Sequence, residues 1–171
     1  MRHLLFRCGA AAALLAGLSA CQNIDRAVKP GDAYAAVLAR YGSPKLVCPR
    51  PDGGQRAVWT LQPLGQYAWG VNVGADSRVE RAEAVLTDEH FKVLDTGDWT
   101  PDQVRCEFGP PSEVETVGLG DMREVVWSYR YKEQGVWNAQ MHIFMGPKGD
   151  HVTHHFHGPD PIYERSRLGF Y

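Results

Sequence analysis

The segment "WTPDQVRCEFGPPSEV", residues 99–114, contains the start and the body of one short helix. Thr100 is a preferred N-cap residue, and Pro101 suits the first helical position because its missing N–H would have no partner there. Val104 and Phe108 form an apolar stripe at i, i+4 spacing. The segment therefore predicts a capped helix with one buried face.

The same pattern occurs 67 residues earlier, in "AAVLARYGSPKLV" at residues 35–47. At this offset Gly42 matches Gly109, and a proline stands two residues after each glycine. Glycine is typical of a helix C-terminus because it adopts positive φ at little cost, and a following proline excludes further helix. We therefore predict positive φ at both glycines. The match extends in both directions along the chain, so we interpret the protein as two copies of one unit.

The chain on either side of these helices predicts the rest of each unit. Thr87 and the acidic residues after it predict another short helix, which extends through Leu94 and ends at Gly97. After the Gly-x-Pro segments the apolar period changes to two, as in "REVVWSYRY" at residues 123–131. Two short helices followed by an antiparallel meander of three or four strands are expected in each unit.

The predicted fold class is therefore α+β, with two tandem helix-helix-antiparallel-sheet repeats. We place the first repeat at residues 21–86, the second at 87–158 and a C-terminal tail at 159–171. The tail contains three aromatic residues and two arginines. We expect it to be either a flexible partner-binding segment or disordered.

The first twenty residues have the features of a secretory signal peptide. Arg2 and Arg7 precede a stretch without charge at residues 9–20, which is too short to span a bilayer as a stable helix. The "LSAC" that ends at Cys21 matches the bacterial lipobox, so we predict lipidation of Cys21; the alternative is an ordinary signal with a chance cysteine. Gln22 follows in place of an Asp that would favour inner-membrane retention. The predicted location is the periplasmic face of the outer membrane.

The mature chain is acidic and retains two cysteines. Without Arg2 and Arg7, the 18 basic residues become 16 against 20 acidic ones, a net charge near −4 that argues against a nucleic-acid partner. Cys48 and Cys106 would lie in an oxidising compartment, where a disulfide between them is expected. Two separate buried thiols are the alternative.

No catalytic or cofactor motif is recognisable. There is no Gly-x-Ser-x-Gly elbow, and Cys106 lies among structural residues of a predicted helix. The "GLGD" at Gly118 lacks the Lys and Ser/Thr of a phosphate loop. We therefore predict no enzymatic activity and no cofactor.

Two side-chain groups on the predicted strands are candidates for binding. Trp127, Tyr129 and Tyr131 share one face by period two, so they form either core or a partner surface. We name them as the candidate partner-binding residues.

The histidines of the last strands form the second group. A two-residue turn at residues 148–149 would place His142 opposite His155, with His157 on the same face. Three imidazoles could bind zinc or nickel, but this register depends on the assumed turn, and a one-residue slip would place His154 opposite His142 instead. We predict a solvated histidine face and no metal.

A family resemblance follows from the order of these motifs. The pattern Thr-Pro-x-x-Val-x-x-x-Phe-Gly-x-Pro followed by Trp-x-Tyr resembles the SmpA/OmlA (BamE-like) lipoprotein family. "TGDWTPDQVRCEFGPPSEV" and "VVWSYRY" carry it in the second unit. The tandem arrangement also resembles the β-lactamase-inhibitor-protein-like fold. Family members of the assembly-factor type usually have one copy of the unit, whereas this chain has two.

The resemblance implies a non-enzymatic outer-membrane lipoprotein, anchored through lipid on Cys21. It would bind envelope proteins, including outer-membrane assembly machinery, in the assembly or maintenance of the cell envelope. The alternative function is a periplasm-facing inhibitor or ligand-binding protein that uses a concave sheet.

Overall fold

The computed structural model describes residues 23–167, with side chains described through Glu164. The predicted signal peptide and the lipidation residue Cys21 lie outside this range, as do residues 168–171.

The described chain is an α+β protein with two four-stranded antiparallel sheets. The helices are α1 (Ile24–Ala27), α2 (Tyr34–Tyr41), α3 (Asp88–Phe91, continued by a 3-10 turn at Lys92–Asp95), α4 (Pro101–Phe108) and α5 (Pro161–Arg167). The first sheet contains β1 (Leu46–Pro49), β2 (Gln55–Thr60), β3 (Ala68–Val73) and β4 (Val79–Ala84). The second contains β5 (Glu113–Val117), β6 (Glu124–Glu133), β7 (Trp137–Phe144) and β8 (His154–Pro159). Strands adjacent in sequence pair within each sheet, so the order of two helices and a meander occurs twice, which is compatible with a duplicated unit.

The predicted ends of α4 and the predicted C-terminus of α2 are confirmed, whereas the α-helix that starts after Thr87 ends at Phe91 and continues as a 3-10 turn only to Asp95. The Thr100 side chain accepts a hydrogen bond from the Gln103 N–H at 3.3 Å, and the Gln103 side chain accepts one from the Thr100 N–H at 2.8 Å. This reciprocal pair is a capping box. Gly42 (φ 74°, ψ −172°) and Gly109 (φ 85°, ψ −174°) end α2 and α4 in nearly the same conformation. Only glycine adopts this combination of positive φ and extended ψ readily. The backbone conformation at the end of each helix therefore explains why glycine occurs in both Gly-x-Pro segments.

The helices of the second unit lie between the two sheets. One face of the first sheet, including Trp59 and Val71, packs with Val37 of α2. The opposite face contacts α4, since the Nε of Arg56 on β2 donates to the carbonyl of Cys106 at 3.2 Å. The other side of α4 packs on the second sheet, where Phe108 belongs to the second core cluster. The layers are therefore α1 and α2, the first sheet, α3 and α4, and the second sheet.

A disulfide fixes this arrangement covalently. Cys48 on the edge strand β1 is bonded to Cys106 on α4, with 5.9 Å between their Cα atoms. The predicted pairing is therefore present in the structure. It joins an edge of the first unit to the central helix of the second.

The loop between β2 and β3 completes an edge of the second sheet. β5 pairs with β6 only through Ser128, so the following residues of β6 have no strand partner on that side. The Gln62 side chain donates to the carbonyl of Arg130 at 2.7 Å and accepts from its N–H at 3.4 Å. Gln66 donates to the carbonyl of Tyr131 at 3.3 Å. The Gln62 side chain thus satisfies both backbone groups of Arg130, which an additional strand would otherwise bind, and Gln66 adds a further side-chain contact to β6.

The C-terminal tail is helical at residues 161–167, so the expectation of a disordered segment is wrong for that part. Asp160 is fully buried and forms an ion pair with Arg130. Its carboxylate also accepts a hydrogen bond from the N–H of Ile162 at 3.1 Å, at the start of α5. The helix is therefore attached to the second sheet. Within residues 23–167, no helix is long and apolar enough to cross a membrane.

Candidate functional site

The three aromatic residues predicted as a partner surface are core residues. Trp127, Tyr129 and Tyr131 share one face of β6, as expected, but they are only 6%, 0% and 0% exposed. The Tyr129 hydroxyl donates to the Gly109 carbonyl at 2.9 Å, and the Tyr131 hydroxyl donates to Asp88 at 3.0 Å. Burial raises the pKa of both phenols, which stay neutral donors. The partner-binding prediction for these residues is wrong because α3 and α4 cover this inner face of the second sheet.

The predicted histidine arrangement is also wrong, by one residue of register. His142 pairs with Phe156, whereas His155 pairs with Ile143. A one-residue slip moves side chains to the opposite face, so His142 lies on the other face from His155 and His157. The cause is the connection between the strands, which spans residues 145–153 rather than a two-residue turn.

His155 and His157 each contact a single carboxylate. The Nε2 of His155 lies 2.9 Å from Asp95, and that of His157 lies 3.1 Å from Glu133. These are separate pairs at the edge of the inner face. They do not bring three imidazoles together.

The outer face of the second sheet has a different cluster, which we call the Phe-His patch: His142, Phe144, His154 and Phe156. The Phe144 and His154 rings stack with centroids 4.1 Å apart, and those of Phe144 and Phe156 stack at 5.2 Å. His142 contacts Phe156 at 5.6 Å. Phe156 is 52% exposed and His154 is exposed, so the patch presents aromatic surface to solvent.

Two rows of side chains cross this outer face. Strand pairing aligns Glu113, Ser128, His142 and Phe156 in one row. It aligns Glu115, Val126, Phe144 and His154 in the next. Both glutamates are exposed. The patch therefore has an aromatic centre on β7 and β8 and an acidic margin on β5.

The electrostatics of the patch keep His142 neutral. Burial lowers the pKa of His142, and the charges of Glu115 and Glu113 oppose this shift without cancelling it. Its Nδ1 lies 2.9 Å from the hydroxyl of Ser128. Ser128 is 1% exposed, so this serine-histidine pair offers no accessible nucleophile and serves to orient the imidazole.

A second cluster of charged groups lies between the units. The guanidinium of Arg56 is within 2.6 Å of Glu107 and 3.2 Å of Glu83. The Nε2 of His90 also lies 2.6 Å from Glu107. Burial alone would raise the pKa of Glu107, but the hydrogen bond with His90 and the charge of Arg56 hold it below its ordinary value.

This cluster has the residue types of a metal site without the charge balance of one. The ligand atoms of Glu83, His90 and Glu107 lie within 4.8 Å of one another. Arg56, however, pairs with both carboxylates, and Arg81 pairs with Glu83 as well, so two positive charges already balance the two negative ones. The guanidinium of Arg56 would repel a cation at the same position. The cluster therefore functions as a structural ion network that holds α4 on the first sheet. Its members are far apart in sequence, so no local motif identified it.

Comparisons of the chain with protein-family models, with curated proteins and with solved structures find no match.

Proposed function

We propose that this protein is a non-enzymatic lipoprotein of the outer membrane that binds another envelope protein through the Phe-His patch. Lipid on Cys21 would hold it at the periplasmic face. The two units would be tandem copies of the BamE-like unit, and partner binding would serve the assembly or maintenance of the envelope. The observation that carries the proposal is the exposed aromatic cluster on the outer face of the second sheet.

The chemistry of the patch supports a protein partner. Aromatic side chains provide large contact areas at low entropic cost, and they are enriched among the residues that dominate binding energies. Here they stand on paired strands, and stacking between Phe144 and Phe156 restrains their rings. The glutamates at the margin favour a partner with a basic rim around an apolar centre. A rigid patch of this type needs little reorganisation on binding.

The test is a photo-crosslinking experiment in living cells. A crosslinking amino acid at His154 should capture one envelope protein, which mass spectrometry identifies. Phe156→Asp should reduce the capture by more than about 30-fold, because loss of a hot-spot aromatic costs about 2 kcal/mol or more. Since Phe156 is half exposed, the variant should fold normally.

Val114→Asp is the matched control. Val114 is an exposed apolar residue of the same sheet, but it lies on β5 and faces the other way. Equal loss of capture in both variants would contradict a role for the patch. Capture of a barrel-assembly component would favour the assembly function, and capture of one periplasmic hydrolase would favour an inhibitor instead.

The anchor is tested separately by labelling with radioactive palmitate. The wild-type protein should incorporate the label and fractionate with the outer membrane, and Cys21→Ala should do neither. A Cys21→Ala variant that behaves as wild type in both assays would show that Cys21 is not the lipid site.

A further inference from the structure

Five of the twelve large apolar side chains that are exposed in the described residues lie together at one end of the molecule. The loop between β2 and β3 exposes Leu61, Leu64 and Tyr67. The turn between β6 and β7 exposes Val136, and the first residue of β7 exposes Trp137. Leu64 is 77% exposed and Trp137 is 61% exposed. We call this end, formed by residues 61–67 and 134–137, the proximal end.

The two segments of the proximal end are held side by side. The side chain of Gln66 donates to Asn138 at 3.0 Å, next to the β6–β7 turn. The backbone of Gln134 in that turn donates to Asp88 at 2.7 Å, which ties it to the start of α3. The apolar side chains are therefore presented from a fixed scaffold.

The first described residue lies at this same end. Asn23 lines a cleft of about 460 Å³ together with Tyr67 and Gln134. The indole of Trp69 donates to Asp25 of α1 at 3.1 Å, which holds the start of the chain in place. Cys21 precedes Asn23 by two residues in the sequence, and two residues of fully extended chain span about 7 Å at most.

We propose that the proximal end is a membrane-docking surface that rests on the lipid bilayer holding the protein. This inference depends on the proposed lipidation of Cys21, since acyl chains attached there would insert next to this end. Transfer of leucine side chains from water into the bilayer interface is favourable. Trp and Tyr are enriched at the level of the lipid headgroups. Arg26 and Lys132 line the cleft together with Asp25, Asp88 and Glu89, so the charged groups of the cleft give no net attraction to anionic headgroups. The docking therefore depends on the apolar and aromatic side chains.

Docking at this end fixes the orientation of the Phe-His patch. Phe144 ends β7 and His154 begins β8, so these residues lie toward the β7–β8 connection, at the opposite end of the second sheet from the β6–β7 turn. The patch would stand away from the bilayer, accessible to a partner in the periplasm.

The experiment uses the acylated protein purified from membranes and reconstituted into phosphatidylethanolamine and phosphatidylglycerol vesicles with brominated acyl chains. Bromine quenches the fluorescence of nearby indoles, so part of the tryptophan emission should be lost on docking. In the Trp137→Phe variant this quenching should disappear, because the indole at the membrane is absent. Leu64→Asp should lower the ratio of docked to undocked protein about tenfold, since burial of one leucine side chain corresponds to roughly that factor.

Leu119→Asp is the matched control, because Leu119 is 84% exposed in the β5–β6 loop at the other end of the same sheet. It should leave the quenching unchanged. Absence of bromine quenching, or equal loss in the Leu64 and Leu119 variants, would overturn the proposal. The mass of the mature chain distinguishes failure of the proposed lipidation from failure of the proposed docking. An unacylated Cys21 refutes both, whereas acylation without quenching refutes the docking alone.

Discussion

Replacement of Arg56 by methionine tests whether the charged cluster between the units stabilises the fold. Arg56 is 7% exposed, and its guanidinium donates to Asn72 at 2.8 Å and to the carbonyl of Glu107 at 3.2 Å, besides its two ion pairs. Arg56→Met keeps most of the side-chain volume and removes the charge. The two carboxylates then remain in a largely buried site without their shared partner.

The expected loss is about 3 kcal/mol in the free energy of unfolding. Removal of one partner from a buried ion pair costs about 3–5 kcal/mol. The lower end applies here because Glu83 keeps an ion pair with Arg81 at 2.5 Å and Glu107 keeps its contact with His90. Urea unfolding with the disulfide intact measures this loss as a lower midpoint at unchanged slope.

Arg50→Met provides the control. Arg50 also pairs with two carboxylates, Asp52 at 2.6 Å and Glu80 at 2.5 Å, but this network is exposed to solvent. Exposed pairs contribute about 1 kcal/mol or less. A double variant, Arg56→Met with Glu107→Gln, should recover part of the lost stability because it removes one unpaired charge. If Arg56→Met costs no more than Arg50→Met, or the double variant shows simple additivity, the cluster does not act as described.

The remaining predictions concern the disulfide, the glycine corners and pH. Replacing Cys48 and Cys106 by serine should cost about 4 kcal/mol in urea unfolding, since the bond closes a loop with a sequence separation of 58; a loss below about 1 kcal/mol would contradict this. Gly42→Ala and Gly109→Ala should each cost about 1–3 kcal/mol from positive φ. The second should cost more, because its added methyl lies 3.2 Å from a side chain of β2 whereas the first meets nothing within 4 Å; equal losses would refute the crowding. The pKa of His142 is lower in the folded than in the unfolded protein, so its contribution to stability is complete above about pH 6.5 and is lost as the pH falls through the pKa of the folded state. His142→Gln should flatten this part of the plot of unfolding free energy against pH. An unchanged plot would contradict the lowered pKa of His142.

Local signals in the sequence were sufficient to predict α4 with both of its ends and the C-terminus of α2, but they did not predict α5. Thr100, Pro101 and Gly109 act on their own backbone or on residues within one turn, so their effect does not depend on the rest of the fold. The period-two run at residues 123–131 likewise predicted β6. The correspondence of Gly42 with Gly109 then indicated that two similar units follow one another.

The burial of the aromatic triplet could not be predicted from the same information. Period two places Trp127 and Tyr129 on one face but does not say which face the helices cover. That depends on α4 lying between the sheets, a long-range arrangement. The histidine register failed for a similar reason, because "GPKGD" predicts a turn without specifying how many residues of the connection remain unpaired. The side chain of Phe156 consequently took the position predicted for His155.

The position of α4 between the sheets has a consequence for the order in which the chain can fold. The first sheet is complete at Ala84, yet the face of that sheet containing Arg56 has no covering helix until residue 108 has emerged from the ribosome. Until then Cys48 has no bonding partner at position 106. A fragment that ends at residue 86 would keep the core between the first sheet and α1 and α2, but it would expose the opposite face of that sheet to solvent. An uncovered face of this kind favours self-association. The two units that follow one another in the sequence are therefore joined by contacts that form only when the helices of the second unit are present.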